Sequence, residues 1–302
     1  MLETAADIAL AFGTSPSNLL NIAAKADKFY KSFYVRKASG DKRRLEAPSR
    51  GLKGMQTWIL RNVLDPIPVS HCAYGFVKGG RTADHARVHA SQKYVLIMDI
   101  KDFFPSIVAS QVQKVFQEAR VGPEAAAVLT KLCTYQGHLP QGGVASPCLS
   151  NLVFRPVDDA LQAICADTGI TYSRYADDLA FSFEMKKALV DLRPHVESVL
   201  LGHGFQVNMK KTRYLSGKGK MLITGLCVNA GYPTTGRERK RRLRAGLFNA
   251  IVRGDDSVDR RRLMGTLAYI RGIEPEYYVN VKEYVRGLRT KAKRLGDSAS
   301  SL

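Results

Sequence analysis

The sequence lacks the patterns that mark membrane-spanning, secreted and zinc-binding proteins. No apolar run approaches the roughly 18 residues of a spanning helix, and there is neither an internal repeat nor a low-complexity segment. The opening residues, MLETAADIALAFG, carry acids where a signal peptide needs Lys or Arg. The five cysteines are scattered without a C-x-x-C pair, which is typical of free thiols in a reducing cytosol. We therefore expect a cytoplasmic protein without a membrane partner.

Acidic residues are also few relative to basic ones. The chain has 27 Asp and Glu against 46 Lys and Arg, which gives a net charge of +19. Such an excess favours a polyanionic partner, and with a membrane disfavoured we expect that partner to be nucleic acid. Hydrophobic residues make up 45% of the 302 residues. This excludes a disordered chain and leaves room for about two globular domains.

Strand and helix patterns alternate over the first 230 residues, and the composition changes after them. Residues 231–302 hold 17 Lys and Arg against 8 Asp and Glu. We expect an α+β domain over 1–230 that begins with a helical extension over 1–30, and a basic helical domain over 231–302. The predicted elements are hairpins over 33–48 and 171–184, strands over 93–100, 205–208 and 221–229, and helices over 51–64, 109–118, 123–134 and 186–203.

Three carboxylates occupy positions in which an ionised acidic side chain is energetically unfavourable. Asp99 ends the apolar strand 93–100, and Asp177 and Asp178 form the turn of the hairpin 171–184. A buried acid needs neutralisation and adjacent acids repel each other, and divalent metal ions would relieve both costs. Two magnesium ions about 4 Å apart can activate a hydroxyl and stabilise a leaving pyrophosphate. Taken alone, however, an Asp-Asp pair is more often a solvated turn.

The residues around these acids resemble four motifs of reverse transcriptases, in the order that this family has them. The first is the metal-binding motif and the third is the catalytic box. The second lines the nucleotide and template, and the fourth follows the catalytic hairpin. They are Asp99-Ile100-Lys101-Asp102-Phe103-Phe104, Leu139-Pro140-Gln141-Gly142, Tyr175-Ala176-Asp177-Asp178, and Gly204-Phe205 with Asn208 and Lys211-Thr212. Because all four occur in order, the resemblance is specific, and it covers roughly residues 30–230.

The resemblance implies a role for each matching residue. Asp99, Asp177 and Asp178 would hold two Mg²⁺ ions. The nucleotide-binding residues would be Lys37 and Arg43 on the triphosphate, Phe104 against a ribose 2′-hydroxyl, Gln141 on the nucleotide, and Gly142 where the backbone approaches closely. Lys211 would donate a proton to pyrophosphate. Asp102 is expected to be a triphosphate-side or structural residue.

Two further segments resemble signatures of the bacterial retron branch. Ala86 and His89 belong to a run similar to the retron Asn-Ala-x-x-His, with His85 in place of the Asn. The triplet Ile223-Thr224-Gly225 is similar to the retron Val-Thr-Gly, which lies in the region that binds the cognate RNA. About 70 residues follow position 230. That length is too short for the maturase domain of group II intron enzymes or the RNase H domain of retroviral ones.

The resemblance implies a right-hand polymerase, with fingers and palm on an antiparallel sheet and a C-terminal helical thumb. It would use deoxynucleoside triphosphates to copy part of a cognate structured noncoding RNA from an RNA 2′-hydroxyl, which leaves a branched RNA–DNA hybrid. A separate effector protein would join it in antiphage defence. Ile223, Thr224 and Gly225 would read the RNA, and Arg241 and Arg242 would contact its backbone.

Two alternatives stay open at this point. One is another compact bacterial reverse transcriptase, of the diversity-generating or abortive-infection type. The other is an RNA-binding scaffold on a polymerase fold that no longer catalyses. The intact Asp99, Asp177 and Asp178 argue against the scaffold, because the loss of any one of them would have favoured it.

Overall fold

The structure, a computed structural model, describes residues 2–36 and 40–299, with side chains up to residue 294. It divides into two compact units, one of Met1–Arg81 with Tyr94–Tyr214 and one of Thr82–Lys93 with Leu215–Leu302. The division after Tyr214 comes before the boundary expected near 230. The reason is packing: the short helix of 82–88 lies against the strands of 221–229, so both belong to the second unit.

The elements alternate along the chain as follows. The strands are β1 (Tyr30–Arg36), β2 (Lys42–Pro48), β3 (Tyr94–Asp99), β4 (Thr171–Tyr175), β5 (Asp178–Phe183), β6 (Arg213–Ser216), β7 (Leu222–Ile223) and β8 (Leu226–Cys227). The helices are α1 (Ala5–Phe12), α2 (Pro16–Ala24), α3 (Arg50–Ile59, followed by a π-helical turn Leu60–Leu64), α4 (Thr82–Val88), α5 (Phe103–Ser106), α6 (Ala109–Glu118), α7 (Pro123–Cys133), α8 (Ser146–Thr168), α9 (Lys186–Gly202), α10 (Arg237–Val252), α11 (Arg260–Ile273) and α12 (Pro275–Ala299).

The first unit is built on a four-stranded sheet in the order β4-β5-β3-β6. β3 pairs antiparallel with β5, and β5 pairs antiparallel with β4. The interior of β3 is fully apolar from Val95 to Met98 and buried throughout, as expected for a strand covered on both faces. The strand predicted over 93–100 and the hairpin predicted over 171–184 are therefore confirmed.

The N-terminal helices belong to the same core. α1 begins at a capping box, in which the Thr4 hydroxyl accepts from the Asp7 N–H and the Asp7 carboxylate accepts from the Thr4 N–H. Ile8 on α1 and Leu19 on α2 are fully buried, and both helices pack against α7. The helical extension is thus an integral part of the first unit.

The strand predicted over 205–208 is wrong. The structure has only one isolated bridge there, between Val207 and Ile100. Phe205 instead enters the core, where its ring lies 4.9 Å from that of Phe154 and 6.1 Å from that of Phe103. The chain then turns at Asn208, whose N–H donates to the Asp99 carbonyl at 2.7 Å. The Lys211 and Thr212 N–H groups then donate to the Asn208 carbonyl, and this turn limits the pairing with β3 to a single bridge.

The second unit has a small core of its own. α10, α11 and α12 pack around Leu243, Ile270, Val281 and Leu288. β7 and β8 form a hairpin, and the helices after residue 231 agree with the sequence prediction. No helix in residues 2–36 and 40–299 is long and apolar enough to span a bilayer.

A buried arginine joins the sheet to α8. The Arg174 side chain on β4 has no exposed surface, and its Nε and Nη2 donate to Asp158 of α8 at 2.9 and 2.7 Å. Its Nη1 donates to the Asn151 Oδ1 at 3.0 Å and to the Ala176 carbonyl at 3.1 Å. The Tyr172 hydroxyl completes the network by donating to Asp158 at 2.7 Å. The charges are therefore paired and hydrogen-bonded, as burial requires.

We predict that Arg174→Met lowers the free energy of unfolding by about 3–5 kcal/mol, because it leaves the Asp158 carboxylate buried without a counter-charge. The double variant Arg174→Met/Asp158→Leu should recover most of that loss, since it removes both charges together. Urea unfolding of the full chain measures both values. A single variant that loses less than about 1 kcal/mol would show that Asp158 finds another partner or takes up a proton at little cost.

Candidate active site

The sheet brings the three predicted carboxylates together. The register of β3 and β5 places Asp99 directly opposite Asp178, and the Ile100 N–H donates to the Asp177 carbonyl at 3.0 Å. Asp99 is 5% exposed, whereas Asp177 and Asp178 are half-buried. Asp177 in the turn, Asp178 at the start of β5 and Asp99 at the end of β3 therefore share one edge of the sheet.

The electrostatics of this edge are those of crowded anions. Burial, followed by the charges of Asp177 and Asp99, raises the pKa of Asp178 to about 6. Burial and the charge of Asp99 also raise the pKa of Asp177, although Lys211 and Arg43 act in the opposite direction. A bound cation would relieve this repulsion.

Lys211 is part of the same cluster. Its Nζ donates to the Asp99 Oδ2 at 2.7 Å. Burial alone would lower the pKa of Lys211, but the hydrogen bond and charge of Asp99, together with Asp177 and Asp178, outweigh burial and raise it. Lys211 is therefore held in its charged form against the carboxylate that the sequence placed first among the metal ligands.

The three acids fit a magnesium site that substrate completes. Among the residues described, no group of three or more His, Cys, Asp or Glu side chains is arranged as a ready cage for a metal ion. Magnesium does not require such a cage, because it commonly binds one or two carboxylates, several waters and the phosphates of a substrate. Burial and the repulsion between these acids raise the pKa values of Asp177 and Asp178, and a cation bound between the carboxylates would lower them again.

Phe104 follows Asp99 by five residues and lies in a cluster of aromatic rings. Its half-buried ring lies 5.5 Å from that of Phe103 and 5.8 Å from that of Phe76. Phe103 is anchored in the core on Phe154 and Phe205. Asp102 is exposed, and its backbone is left-handed at φ 48°. It directly precedes α5, and its carbonyl accepts from the N–H of Ser106, the last residue of that helix. Asp102 thus has a structural part in turning the chain from β3 into α5.

The other predicted nucleotide contacts lie on β2 and the loop beside it. The Glu46 N–H of β2 donates to the Gln141 carbonyl at 3.0 Å. Gly142 has φ 139°, and a Cβ there would lie 3.0 Å from the Glu46 carbonyl oxygen, so glycine is required for this approach. Arg43, on the same strand, is exposed and near enough to lower the pKa of Asp177. Lys37 lies outside the described residues.

Sequence reasoning missed the residues that hold the catalytic turn. Ala176 is left-handed at φ 58°, and its carbonyl accepts from Arg174. The neighbouring Gly75 has no room for a side chain, because a Cβ would lie 2.4 Å from the Ala176 nitrogen. Asn151 fixes Gly75 by donating to its carbonyl at 3.0 Å. One feature of the sequence could have pointed to these residues. Arg174 is a single arginine within a predicted strand, and a buried arginine requires hydrogen-bond acceptors from neighbouring elements.

In the second unit, the two segments that resemble retron signatures meet. The Thr224-Gly225 turn joins β7 to β8 with both residues at positive φ, 46° and 79°, which is the geometry of a type I′ turn. The Thr224 hydroxyl lies 3.4 Å from the His85 Nδ1 and 3.4 Å from the Thr82 carbonyl, both on α4. α4 therefore stabilises a turn that a β-branched residue disfavours.

Ala86 and His89 lie on the buried side of this contact. Both are fully buried, and the His89 ring lies 5.7 Å from that of His85. Burial, with the charge of His85, lowers the pKa of His89 to about 3. His89 is therefore a neutral packing residue below the turn and not a surface contact.

Arg241 and Arg242 line two different depressions in the surface of the second unit. Arg241 lines a groove of about 560 Å³ beside Tyr277 and Tyr284, where the Arg244 guanidinium lies 4.3 Å from the centroid of the Tyr284 ring. Arg242 lines a cavity of about 770 Å³ that includes Gly225. The Arg242 guanidinium is paired with Glu238. The two neighbouring arginines thus differ in their surroundings.

Comparison with known proteins identifies the family. Residues 35–240 match the family described as reverse transcriptase (RNA-dependent DNA polymerase). The chain is 31% identical to the retron Ec86 reverse transcriptase of Escherichia coli, over 94% of this chain and 89% of that one. It is 35% identical to the retron Mx65 reverse transcriptase of Myxococcus xanthus, over 91% and 69%. The chain belongs to the retron reverse transcriptases.

A retron reverse transcriptase is an RNA-directed DNA polymerase that works with a noncoding RNA template and deoxynucleoside triphosphates. The predicted family and enzyme class are confirmed, and the structure has the predicted α+β fold on an antiparallel sheet. Reverse transcriptases typically use a divalent metal ion. Among solved structures, an apo telomerase of Candida tropicalis aligns with 70% of this chain and 50% of that chain, at 11% identity and a TM-score of 0.48.

We predict that the buried, neutral His89 makes the stability of this retron reverse transcriptase depend on pH. The unfolded chain binds a proton on His89 near pH 6.5, whereas the folded chain does so only near pH 3. Stability is therefore lost as the pH falls below about 6.5, by roughly 2 kcal/mol on reaching pH 5.

His89→Gln provides the comparison, because glutamine does not titrate. The free energy of unfolding in urea, measured at pH 7, 6 and 5, should fall more steeply for the native chain than for His89→Gln. The free energy of unfolding of the native chain minus that of His89→Gln should decrease by roughly 2 kcal/mol from pH 7 to pH 5. A constant difference would show that His89 titrates alike in both states.

Proposed function

We propose that this enzyme primes DNA synthesis from an RNA 2′-hydroxyl of its cognate noncoding RNA and leaves a branched RNA–DNA hybrid. The DNA polymerase activity in this proposal is supported by the pairing of Asp99 on β3 with Asp178 on β5, with Asp177 beside them. The branched product, the separate effector protein and the role in antiphage defence rest on similarity to the retron relatives.

In this proposal Asp99, Asp177 and Asp178 hold two Mg²⁺ ions. Those ions would activate the attacking hydroxyl and stabilise the charge on the leaving pyrophosphate. Lys211 supplies a positive charge beside Asp99, which is supported by its hydrogen bond to that carboxylate and by its raised pKa. It also supplies a proton for the pyrophosphate, which is supported by its place in the cluster. With Lys211 as the general acid, the leaving pyrophosphate would not have to take its proton from solvent.

The nucleotide lies between β2 and α5 in the same proposal. Arg43, with Lys37, contacts the triphosphate, because guanidinium and ammonium groups form charge-assisted hydrogen bonds with phosphate. Gln141 contacts the nucleotide, and Gly142 leaves the backbone open to it. Phe104 lies under the sugar and excludes a 2′-hydroxyl. This is supported by its half-buried ring, which contacts Phe76 on the loop that packs against Ala176.

The second unit binds the RNA. The Thr224-Gly225 turn reads the cognate RNA, and it is supported by the buried side chains of Ile223, of Ala86 on α4 and of His89 just after α4. Arg241 and its aromatic neighbours suit an RNA backbone and unstacked bases, since guanidinium groups and tyrosine rings serve both. Arg242 is the weaker candidate because Glu238 already neutralises it.

We predict that the isosteric variant Asp178→Asn abolishes DNA synthesis while RNA binding is kept. It removes one metal-binding charge and almost no volume, so synthesis should fall by about a thousandfold or more. The chain is expressed together with its RNA, and the co-purifying nucleic acid is treated with ribonuclease and sequenced. The native chain should yield DNA whose end stays joined to one ribonucleotide through a 2′ linkage.

The matched control is Asp191→Asn, an exposed acid on α9 of the same unit. It should give the native product, whereas Asp178→Asn should give RNA alone. DNA made by Asp178→Asn in magnesium would contradict the metal assignment. DNA without an attached ribonucleotide from the native chain would contradict the branched product and leave the polymerase assignment intact.

We predict that the two neighbouring arginines differ in their effect on RNA binding. Arg241→Gln should reduce the slope of log affinity against log salt by about one unit, as expected for one lost phosphate contact. Arg242→Gln should change the slope by less than half of that, because its charge is already paired with Glu238. Titrations at several salt concentrations measure both, and equal slopes for the two variants would argue against a distinct role for the groove that Arg241 lines.

A further inference from the structure

Phe76 combines an exposed aromatic side chain with an unusual backbone conformation. Phe76 is 43% exposed, and its backbone is left-handed at φ 60°. A bulky residue rarely adopts this conformation, because its side chain is crowded against its own backbone. Such residues persist where the surrounding structure holds them, and they are concentrated at functional sites.

The loop that carries Phe76 is fixed to the catalytic turn. The Arg174 N–H donates to the Cys72 carbonyl and the Tyr74 N–H to the Arg174 carbonyl, both at 2.8 Å. Gly75 lies so close to Ala176 that no side chain fits between them, and Asn151 donates to the Gly75 carbonyl. The position of Phe76 is therefore set by the same residues that set Asp177 and Asp178.

From this loop, the Phe76 ring reaches Phe104. The two ring centroids are 5.8 Å apart and the planes are tilted by 49°, a separation at which aromatic pairs attract. Phe104 is then held by two rings, Phe103 at 5.5 Å and Phe76. Phe103 is 4% exposed and belongs to the core, whereas Phe76 is exposed and supports Phe104 from outside the core.

We propose that Phe76 is a positioning residue which holds the ring of Phe104 and thereby sets how strongly the enzyme prefers deoxyribonucleotides to ribonucleotides. This inference rests on the proposed role of Phe104 against a 2′-hydroxyl. A ring excludes one oxygen atom only when it cannot move aside by about that atom's size. A small loss of positioning is therefore enough to lower discrimination.

The experiment measures incorporation of a single nucleotide on an RNA template with a DNA primer, using the purified full chain. The readout is kcat/KM for a deoxynucleoside triphosphate divided by kcat/KM for the matching ribonucleoside triphosphate. Phe104→Ala should lower this ratio by about a hundredfold and Phe76→Ala by about tenfold. In Phe76→Ala the change should come mainly from a lower KM for the ribonucleotide.

Three further variants separate positioning from general damage. Phe76→Tyr keeps the ring and should restore the native ratio, whereas Phe76→Leu keeps apolar bulk without the ring and should lower the ratio as Phe76→Ala does. Phe76→Ala/Phe104→Ala should show the same ratio as Phe104→Ala alone, because the two residues act through one ring. Phe29→Ala, which removes a ring of similar exposure outside the loop, should leave the ratio as it is.

The outcomes distinguish this inference from the function on which it rests. If Phe104→Ala lowers the ratio but neither Phe76→Ala nor Phe76→Leu does, Phe76 has no positioning role and the role of Phe104 stands. If Phe104→Ala leaves the ratio unchanged, the proposed role of Phe104 fails and this inference fails with it. Additive losses in the double variant would show that Phe76 acts on the nucleotide by a separate route.

Discussion

The guanidinium of Arg174 is fully removed from water, and the arrangement of the catalytic hairpin depends on how its charge is satisfied. Asp158 and Asn151 on α8 and the Ala176 carbonyl accept from it. A buried cation is tolerated only with complete pairing, so α8 and β4 can pack in one register alone. That register fixes the turn that presents Asp177 and Asp178, and the Lys211–Asp99 pair balances charge on the neighbouring strand.

Three of the six non-glycine residues with positive φ in the described part of the chain belong to this part of the fold. They are Phe76, Asp102 and Ala176, and each carries a cost of order 1–3 kcal/mol. Asp102 lies between Asp99 and Phe104 in the chain, Ala176 comes immediately before Asp177, and Phe76 contacts the ring of Phe104. Strain of this kind is commonly retained at functional sites.

Local patterns were enough to predict Asp99 at the end of a buried strand and a tight turn at Asp177, because apolar continuity and turn residues are read from neighbours in the chain. The turn lies one residue earlier than predicted, at Ala176-Asp177, because Asp178 pairs with Asp99 as the first residue of β5. They were not enough for α8, whose polar residues Asn151 and Asp158 face inward and whose interior contains Pro156. The boundary near 230 followed a change in charge, whereas the observed division follows long-range packing of α4 with β8. The strand predicted over 205–208 is reduced to one bridge because the chain turns directly after Asn208. Pairing across long stretches of sequence leaves no local pattern.

The contact between Gly75 and Ala176 has a consequence for the engineering of this enzyme. Because the backbone of one loop rests on the backbone of another with no room for a side chain at Gly75, a change in either loop would displace the other. A chimaera that exchanged only the Tyr175-Ala176-Asp177-Asp178 box would receive the turn without the loop on which it rests. The unit to exchange is instead a discontinuous one, made of the loop 72–76, the middle of α8 and the β4–β5 hairpin.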